Sequence, residues 1–321
     1  MTSGRKAAEV GGGTAAEITV AAPAKLNLYL RVVGRRPDGY HELDSLVAFA
    51  ELGDVVRAAP SDDLTLTIDG PFADALSRAG PPAGNLVLRA ARALAQLTGV
   101  RAGARLTLTK TLPVASGIGG GSADAAAALR ALIALWGVEP DPVALHALAL
   151  ALGADVPVCL AGSACRLQGI GERLTRLETL PALPLLLVNP GRPLATRDVF
   201  GARAGAFSTP LETLPAIRDA ATLAVLVRSG GNDLEAAARA LLPVVAEILA
   251  ALRAAPGCLA AAMSGSGATC FGLFDRAESA ALAEAYLRTA QPAWWAAATT
   301  LRGAARQPDS RRALARPGPP G

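Results

Sequence analysis

Hydrophobic and polar residues alternate in several stretches of the chain, a pattern that is typical of β-strands. Over residues 16–34 the alternation places four residues on one face of an extended segment, namely Leu26, Leu28, Leu30 and Val32. The same pattern predicts further strands at residues 46–59, 63–69 and 104–113. The loop RRPDGYHEL at residues 35–43 carries a turn and joins the first two strands.

Other stretches have the three- and four-residue spacing of helices. Residues 85–99 are predicted as a helix closed by Gly99, and residues 141–153 as a helix with Pro142 near its start. A third helix follows a glycine-rich loop, and its apolar residues are Leu129, Leu132, Ile133 and Trp136. Two short strands are predicted next, at residues 153–162 and 165–177.

The second half begins at a proline-bounded apolar stretch, and we place a domain change just before it. Its predicted elements are a strand in 180–191, helices across 232–252, a strand–loop–strand at 258–274, a helix at 277–290 and a strand at 295–303. Strands and helices mix without regular βαβ alternation, which favours a two-domain α+β protein. The expected segments are a flexible extension (1–15), an N-terminal domain (16–178), a C-terminal domain (179–303) and a disordered Arg/Pro/Gly-rich tail (304–321).

Composition and charge exclude several classes of function. The formal net charge of +4 resides in residues 302–321, so the rest of the chain offers no basic surface to nucleic acid. The charge-free run 254–274 is interrupted by MSGSGAT and is interpreted as two buried strands, not as a membrane span. Four cysteines without C-x-x-C spacing, and only two histidines, disfavour zinc. We therefore expect a cytoplasmic protein with buried, reduced thiols.

The loop within LPVASGIGGGSADAAAALRAL, which begins at Leu112, indicates an anion site. Glycines leave backbone N–H groups accessible, and the first turn of the helix that follows adds unpaired donors. Ser116 and Ser122 could add hydroxyls; a serine-capped connector without a ligand is the alternative. No Walker sequence is present, and Ser122 stands where a dinucleotide fingerprint starting at Gly117 needs glycine. Helix-end effects reach only about 1–2 kcal/mol, so a triphosphate would also need magnesium and a cation.

Two charged residues have unusual settings. Lys25 is one of only three lysines and lies mid-strand in an apolar run, so it either extends to solvent or pairs with a buried acid; we favour the pair. Asp155 lies between a helix end and a predicted strand. It is either a turn aspartate or a carboxylate directed into a cleft.

Three segments resemble the motifs of the GHMP kinases. LPVASGIGGGSADAA resembles their phosphate-binding motif, PAKLNLYLRVVGRRPDGYHEL their first motif, and MSGSGATCFGLF their third, a second glycine turn that closes against the phosphate loop. Within this superfamily, AKLNLYL, RPDGYHEL and GADVPVCLAG resemble the branch that phosphorylates a cytidine diphosphate derivative of methylerythritol in the non-mevalonate isoprenoid route. The resemblance covers residues 18–302; Ile118 departs from the commoner leucine.

The resemblance implies a fold, ligands and roles for particular residues. The N-terminal domain would be ribosomal S5 domain 2-like and the C-terminal domain ferredoxin-like, with ATP and Mg²⁺ as cofactors. Asp155 would be the general base and Lys25 its electrostatic partner. The ATP site would comprise Pro113, Ala115, Ser116, Gly117, Gly119, Gly120, Gly121, Ser122, Asn85, Leu86 and Lys110.

The resemblance also implies an acceptor site and a set of partners. The cytosine would stack between Tyr40 and Phe200, His41 would hydrogen-bond its polar edge, Asn27 would contact the sugar alcohol or diphosphate, and Thr196 lies in a family-like segment. No magnesium ligand is assigned; Ser122 is the only obvious candidate. The partner is a small molecule, with no nucleic acid and no membrane, and the chain would be a monomer or a weak homodimer.

Three other functions are compatible with parts of the sequence. A GHMP kinase for homoserine or a mevalonate derivative is the nearest, although these substrates carry no base to stack on DGYHEL. A nucleotide sensor without catalysis is disfavoured because both Lys25 and Asp155 are present. A nucleic-acid-binding protein is the weakest alternative.

Overall fold

The computed structural model describes residues 17–80 and 84–304. The expected extension at residues 1–15 lies outside the described residues, as does the expected tail beyond residue 304. Among the described residues, no helix is both long enough and apolar enough to cross a membrane.

The N-terminal half is a mixed sheet covered by helices. Its strands are β1 (Ile18–Arg35), β2 (His41–Ser61), β3 (Leu64–Asp69), β4 (Gly103–Thr109), β5 (Cys165–Gly169) and β6 (Arg173–Arg176). Its helices are α1 (Ala73–Ala79), α2 (Leu86–Thr98), α3 (Gly120–Trp136), α4 (Pro142–Leu152) and α5 (Val156–Ala161). The long strand β2 organises the sheet, because it pairs antiparallel with β1, β4 and β5.

The C-terminal half contains a four-stranded antiparallel sheet backed by helices. Its elements are β7 (Leu183–Asn189), α6 (Thr196–Ala202), α7 (Ala220–Gly230), α8 (Glu235–Leu241), α9 (Val244–Ala254), β8 (Cys258–Met263), β9 (Cys270–Phe274), α10 (Ala277–Ala290) and β10 (Trp295–Leu301). The strand order β10-β7-β9-β8, with the first and fourth strands adjacent, is that of a ferredoxin-like domain. The predicted α+β fold is therefore confirmed.

Local sequence explains where the helices begin and end. Asn85 caps α2 by accepting a hydrogen bond from the Val87 N–H at 2.9 Å, and Gly99 ends it in the left-handed conformation. Alanines fill most of the buried surface of α3, so this helix packs closely on β1, β2 and α2.

The two halves share part of their core. One cluster lies between the N-terminal sheet and helices α2 to α5, and another between the C-terminal sheet and α8 to α10. A third joins the halves, and it combines Leu26 and Leu28 of β1 with Leu185 and Leu187 of β7. In addition, β10 touches β2 at the pair Leu301–Ala50.

One predicted element is wrong. The sequence GADVPVCLAG, residues 153–162, was expected to form a strand, and it forms the short helix α5 instead. Two valines and a cysteine favour a strand locally. Pro157 in the first turn and Gly162 as a left-handed cap stop a six-residue helix at both ends, and its valines pack in the N-terminal core.

Candidate active site

A cavity of about 840 Å³ contains most of the residues singled out in the sequence. It is lined by both glycine-rich turns, by the start of α2, and by residues of β1 and α6. The expected site residues on its wall are Lys25, Asn27, Asn85, Leu86, Lys110, Pro113, Ala115, Ser116, Gly117, Gly119, Gly120, Gly121, Ser122, Asp155, Thr196 and Phe200. Tyr40 and His41 are not on this wall.

The loop before α3 has the backbone conformation of an anion cradle. Ala115, Gly117 and Gly119 all have positive φ, at 51°, 77° and 65°. Gly119 is the N-cap of α3, so the N–H groups of its first turn point out of the helix without helical partners. Backbone donors at a helix N-terminus, arranged in such a nest, suit the oxygens of a phosphate.

The second glycine turn, residues 264–268, braces this loop. The Ser264 hydroxyl donates to the Gly117 carbonyl at 3.1 Å, and the Thr269 N–H donates to the Ser116 carbonyl at 3.1 Å. A Cβ on Gly117 would lie 2.8 Å from the Ser264 carbonyl oxygen and would also collide with the Gly267 carbonyl. The contact between the two turns, expected from the family resemblance, is therefore confirmed.

Lys25 and Asp155 form the expected ion pair. The Lys25 ammonium lies 3.0 Å from the Asp155 carboxylate and donates to Asn27 Oδ1 at 3.0 Å. The Lys25 side chain is 4% exposed, whereas that of Asp155 is 39% exposed, so the carboxylate is the accessible partner. Asp155 occupies the residue before α5, which directs it into the cavity.

β1 presents Lys25 beside the glycine loop. Its pairing with β2 shifts register between Pro23 and Lys25, and again after Asn27. Such bulges reorient side chains and are frequent beside active sites. The Lys25 N–H donates to the Ile118 carbonyl at 2.9 Å, and a Cβ on Gly119 would lie 3.1 Å from the Lys25 Cβ. Lysine and loop are thus in direct contact.

Lys110 has partners that the sequence did not reveal. Its ammonium lies 2.5 Å from Asp54 and 2.8 Å from Asp124, and all three residues are buried. Burial raises the pKa of Asp124 to about 7, opposed by the Lys110 charge and reinforced by that of Asp54. The same two carboxylates raise the pKa of Lys110 although burial lowers it.

The cluster changes the expected role of Lys110. It lines the cavity, but two of its three N–H donors are committed to acids. The remaining Asp124 oxygen, Oδ1, is buried and has no hydrogen-bond partner among the described residues. Asp124, an aspartate among the alanines of α3, was the signal available in the sequence, whereas Asp54 gave none.

The acceptor side differs in detail from expectation. His41 and Phe200 stack on each other, with ring centroids 4.8 Å apart and planes at 24°. Tyr40 is 61% exposed, so its stacking on a base stays a prediction. Thr196 shares a hydrogen bond with Ser266 at 2.9 Å. Burial, together with the charges of nearby arginines, lowers the pKa of His41.

Family models match both halves of the chain. The model described as GHMP kinases N terminal domain matches residues 85–163, which include the glycine loop and Asp155. The model described as GHMP kinases C terminal matches residues 213–293, which include the second glycine turn.

Curated relatives match almost the whole described chain. The 4-diphosphocytidyl-2-C-methyl-D-erythritol kinase of Paramagnetospirillum magneticum is 53% identical over 88% of this chain and 98% of its own length. The enzymes of the same name from Paracoccus denitrificans and Rhodospirillum rubrum are 55% and 51% identical, over 96% and 92% of their lengths. The chain belongs to the 4-diphosphocytidyl-2-C-methyl-D-erythritol kinase family.

Solved structures agree with this family and its superfamily. A crystal structure of 4-(cytidine 5'-diphospho)-2C-methyl-D-erythritol kinase matches with a TM-score of 0.73 and 36% identity, over 88% of this chain and 99% of the other. Homoserine kinase from Cytophaga hutchinsonii matches with a TM-score of 0.65 at 19% identity, over 92% of this chain and 97% of its own. The latter likeness shows the shared fold alone.

One side chain on the cavity wall could contribute an oxygen ligand to a metal ion. Among the described residues, no group of three or more His, Cys, Asp or Glu side chains could hold a metal ion. Ser122 places a hydroxyl on the cavity wall at the first turn of α3, and magnesium accepts such oxygen ligands alongside phosphates and water.

Proposed function

We propose that this protein transfers the γ-phosphoryl group of ATP to the 2-hydroxyl of 4-diphosphocytidyl-2-C-methyl-D-erythritol. The relatives that carry this name support the substrate, since they are about half identical over nearly their whole length. The single observation that carries the chemistry is the contact between Lys25 and Asp155, at 3.0 Å, on the wall of the cavity that also contains the glycine loop.

The donor nucleotide would bind along the glycine loop and the start of α2. The amides of residues 115–122 would hold the phosphates, because positive φ and the helix start direct N–H groups to one place. Asn85 and Leu86 would border the adenine. Ser122 would bind the magnesium ion, which supplies charge neutralisation between the phosphates.

The acceptor alcohol would lie against Asp155. This carboxylate is accessible and fixed by Lys25, so it can accept a hydrogen bond from the reacting hydroxyl and hold it in line with the phosphate. A loose transition state requires little proton removal before the P–O bond breaks, so orientation is the larger part of its role. Lys25 would stabilise negative charge that develops between Asp155 and the loop.

The cytidine would be recognised near His41, Phe200 and Tyr40. Stacking on an aromatic ring is worth about 1–3 kcal/mol and does not distinguish bases. Hydrogen bonds from His41 would supply the discrimination, because a wrong base leaves a buried group unpaired.

The direct test is a transfer assay with purified protein. ATP, Mg²⁺ and the cytidine acceptor are incubated with it, and phosphorus NMR and mass spectrometry follow a new monophosphate ester. We expect one ester and one ADP per turnover. Parallel reactions with homoserine and mevalonate should give none. Phosphorylation of either one in preference to the cytidine acceptor would refute the proposal, and ADP release that ignores every acceptor would indicate a nucleotide sensor.

A further inference from the structure

A buried carboxylate on β2 joins the two halves of the molecule. Asp44 is fully buried and accepts two hydrogen bonds from the Arg166 guanidinium, at 2.7 and 2.9 Å. Its other donors are the Tyr29 hydroxyl at 3.3 Å and the Leu211 N–H at 2.8 Å. Arg166 also donates to the Leu211 carbonyl. Both polar backbone groups of Leu211 are therefore held by one ion pair.

Leu211 belongs to the segment that connects α6 to α7. Before it reaches Leu211 it is attached twice to β1: the Ser208 N–H donates to the Val32 carbonyl at 2.9 Å, and Arg31 donates to the Thr209 carbonyl at 2.9 Å. The segment 208–211 thus lies on the strands of the N-terminal half, although it follows α6 in the chain.

Further contacts extend this attachment to α6. Arg203, at the C-terminal end of α6, donates to the carbonyls of Gly205 and Ala206, and its guanidinium lies 5.2 Å from the centre of the Phe207 ring. The last turn of α6 carries Phe200, which stacks on His41. A nearly continuous series of contacts therefore runs from Leu211 to Phe200.

Both rings of the stack are connected to the ion pair, one along β2 and the other through the connection after α6. His41 opens β2, three residues before Asp44, so the strand itself fixes one ring relative to the carboxylate. Phe200 is fixed through the braced connection. We propose that Asp44 and Arg166 are positioning residues that set the spacing of His41 and Phe200, and thereby the affinity for the cytidine part of the acceptor, without touching it.

This inference rests on the proposed function only in naming the cytidine acceptor as the ligand. The placement of the rings is a property of the free protein. The charge state of the pair agrees with it: burial raises the pKa of Asp44, but the hydrogen bonds from Arg166 and Leu211 outweigh burial and lower it overall. The carboxylate is thus ionised, as a pair with an arginine requires.

The first experiment compares steady-state kinetics of Arg166→Lys with the parent protein. Lysine keeps the charge but cannot bind both Asp44 oxygens and the Leu211 carbonyl in one plane. We expect KM for the cytidine acceptor to rise about tenfold, as loss of charge-assisted hydrogen bonds implies. KM for ATP and kcat should stay within about twofold. Asp44→Asn should change the same constants in the same direction.

Arg57→Lys is the matched control. Arg57 lies near the other end of β2 and pairs with Asp69 at 3.4 Å, so all three constants should stay unchanged. An acceptor KM that is unaltered in Arg166→Lys, or a fall in kcat and a rise in both KM values together, would assign the pair to fold stability alone and would overturn the inference.

A second measurement does not depend on catalysis. The chain has only two histidines, His41 and His146, so their ring protons can be titrated individually by proton NMR. Burial in the stack, Arg35 and Arg203 lower the pKa of His41. Loosening the stack should raise it towards the ordinary value of about 6.5. His146, on α4, serves as the internal reference.

The two measurements distinguish a failure of the positioning role from a failure of the proposed substrate. A raised His41 pKa in Arg166→Lys, in a protein that does not phosphorylate the cytidine acceptor, would support the positioning role and refute the substrate. A His41 titration identical to that of the parent protein would refute the positioning role whatever the activity.

Discussion

At the residue scale, charged side chains in apolar surroundings were the most informative part of the sequence. Lys25, in an apolar strand, was expected either to extend to solvent or to pair with an acid, and the pair was favoured because the chain has only three lysines. The structure pairs it with Asp155 at 3.0 Å. Asp54 could not have been found in this way, since the sequence alone does not show that its carboxylate is buried against Lys110.

The first prediction concerns Asp155. Asp155→Asn keeps the size of the side chain but removes the charge, so the hydroxyl is neither oriented nor relieved of its proton. We expect kcat to fall by roughly 10²–10⁴-fold, with the dissociation constant of ADP within about twofold, measured by transfer assay and calorimetry. Asp62→Asn, at an exposed aspartate, is the control. Equal losses of turnover and nucleotide binding would mean that Asp155 supports the fold and has no part in catalysis.

Lys110 gives a prediction about stability. Lys110→Met leaves Asp54 and Asp124 buried side by side without a cation. Removing one partner from a buried ionic cluster costs about 3–5 kcal/mol, and urea unfolding at pH 7.5 should measure a loss of this size. A loss below about 1 kcal/mol would instead indicate that the two carboxyls share a proton and need no ammonium.

At the element scale, caps and glycine turns were predictable, whereas short elements were not. Asn85, Gly99 and Pro142 marked the helices they bound, because capping is a local interaction. The helix α5 was missed, since two of its six residues are β-branched valines that favour a strand locally, and tertiary packing decides the state of so short a segment. The stack of His41 on Phe200 was equally out of reach, because it brings together elements from both halves.

Because the two glycine turns are in contact, the addition of one methyl group at Gly117 should weaken nucleotide binding. Gly117→Ala introduces strain at φ 77° and a collision with the second turn. The turns must separate, so we expect ADP affinity, measured by calorimetry, to fall at least about tenfold.

Gly137→Ala is the control for this substitution. Gly137 ends α3 at φ 60°, and an added Cβ would meet nothing within 4 Å among the described residues. The substitution should cost roughly 1–2 kcal/mol of stability from backbone strain and leave ADP affinity unchanged. If both alanine variants lose nucleotide affinity alike, backbone strain and not the contact between turns is responsible.

At the scale of the whole molecule, the sequence predicted most elements in their order but not α1, α6 or α7, and it did not predict how the two halves pack on each other. The expected boundary near residue 179 falls just before β7, and it stays a prediction. The core cluster of Leu26, Leu28, Leu185 and Leu187 crosses that boundary. Nothing local in a sequence indicates which apolar faces from distant segments will meet.

The lowered pKa of Asp44, whose contacts join the two halves, leads to a prediction about unfolding at acid pH. Its pKa is lower in the folded state than the ordinary value of about 3.9. The stability it contributes is therefore complete above about pH 4 and is lost as pH falls through the lower folded value. Asp44→Asn should reduce the free energy of unfolding at pH 7 and make its decrease less steep as the pH falls below about 4. A slope in this range equal to that of the parent protein would contradict the expectation.

The scarcity of lysine has a practical consequence. Lys25 and Lys110 are the only lysines in the described part of the chain, and both lie with their amines in the wall of one cavity. Acylating reagents added from solution should therefore modify few lysine amines in the described part of the chain. An adenine nucleotide with a reactive acyl-phosphate end, once bound, would bring its label to this wall, where Lys25 is the better target because the Lys110 ammonium is held by Asp54 and Asp124. Peptide mapping of the labelled lysine would then measure occupancy of the cavity.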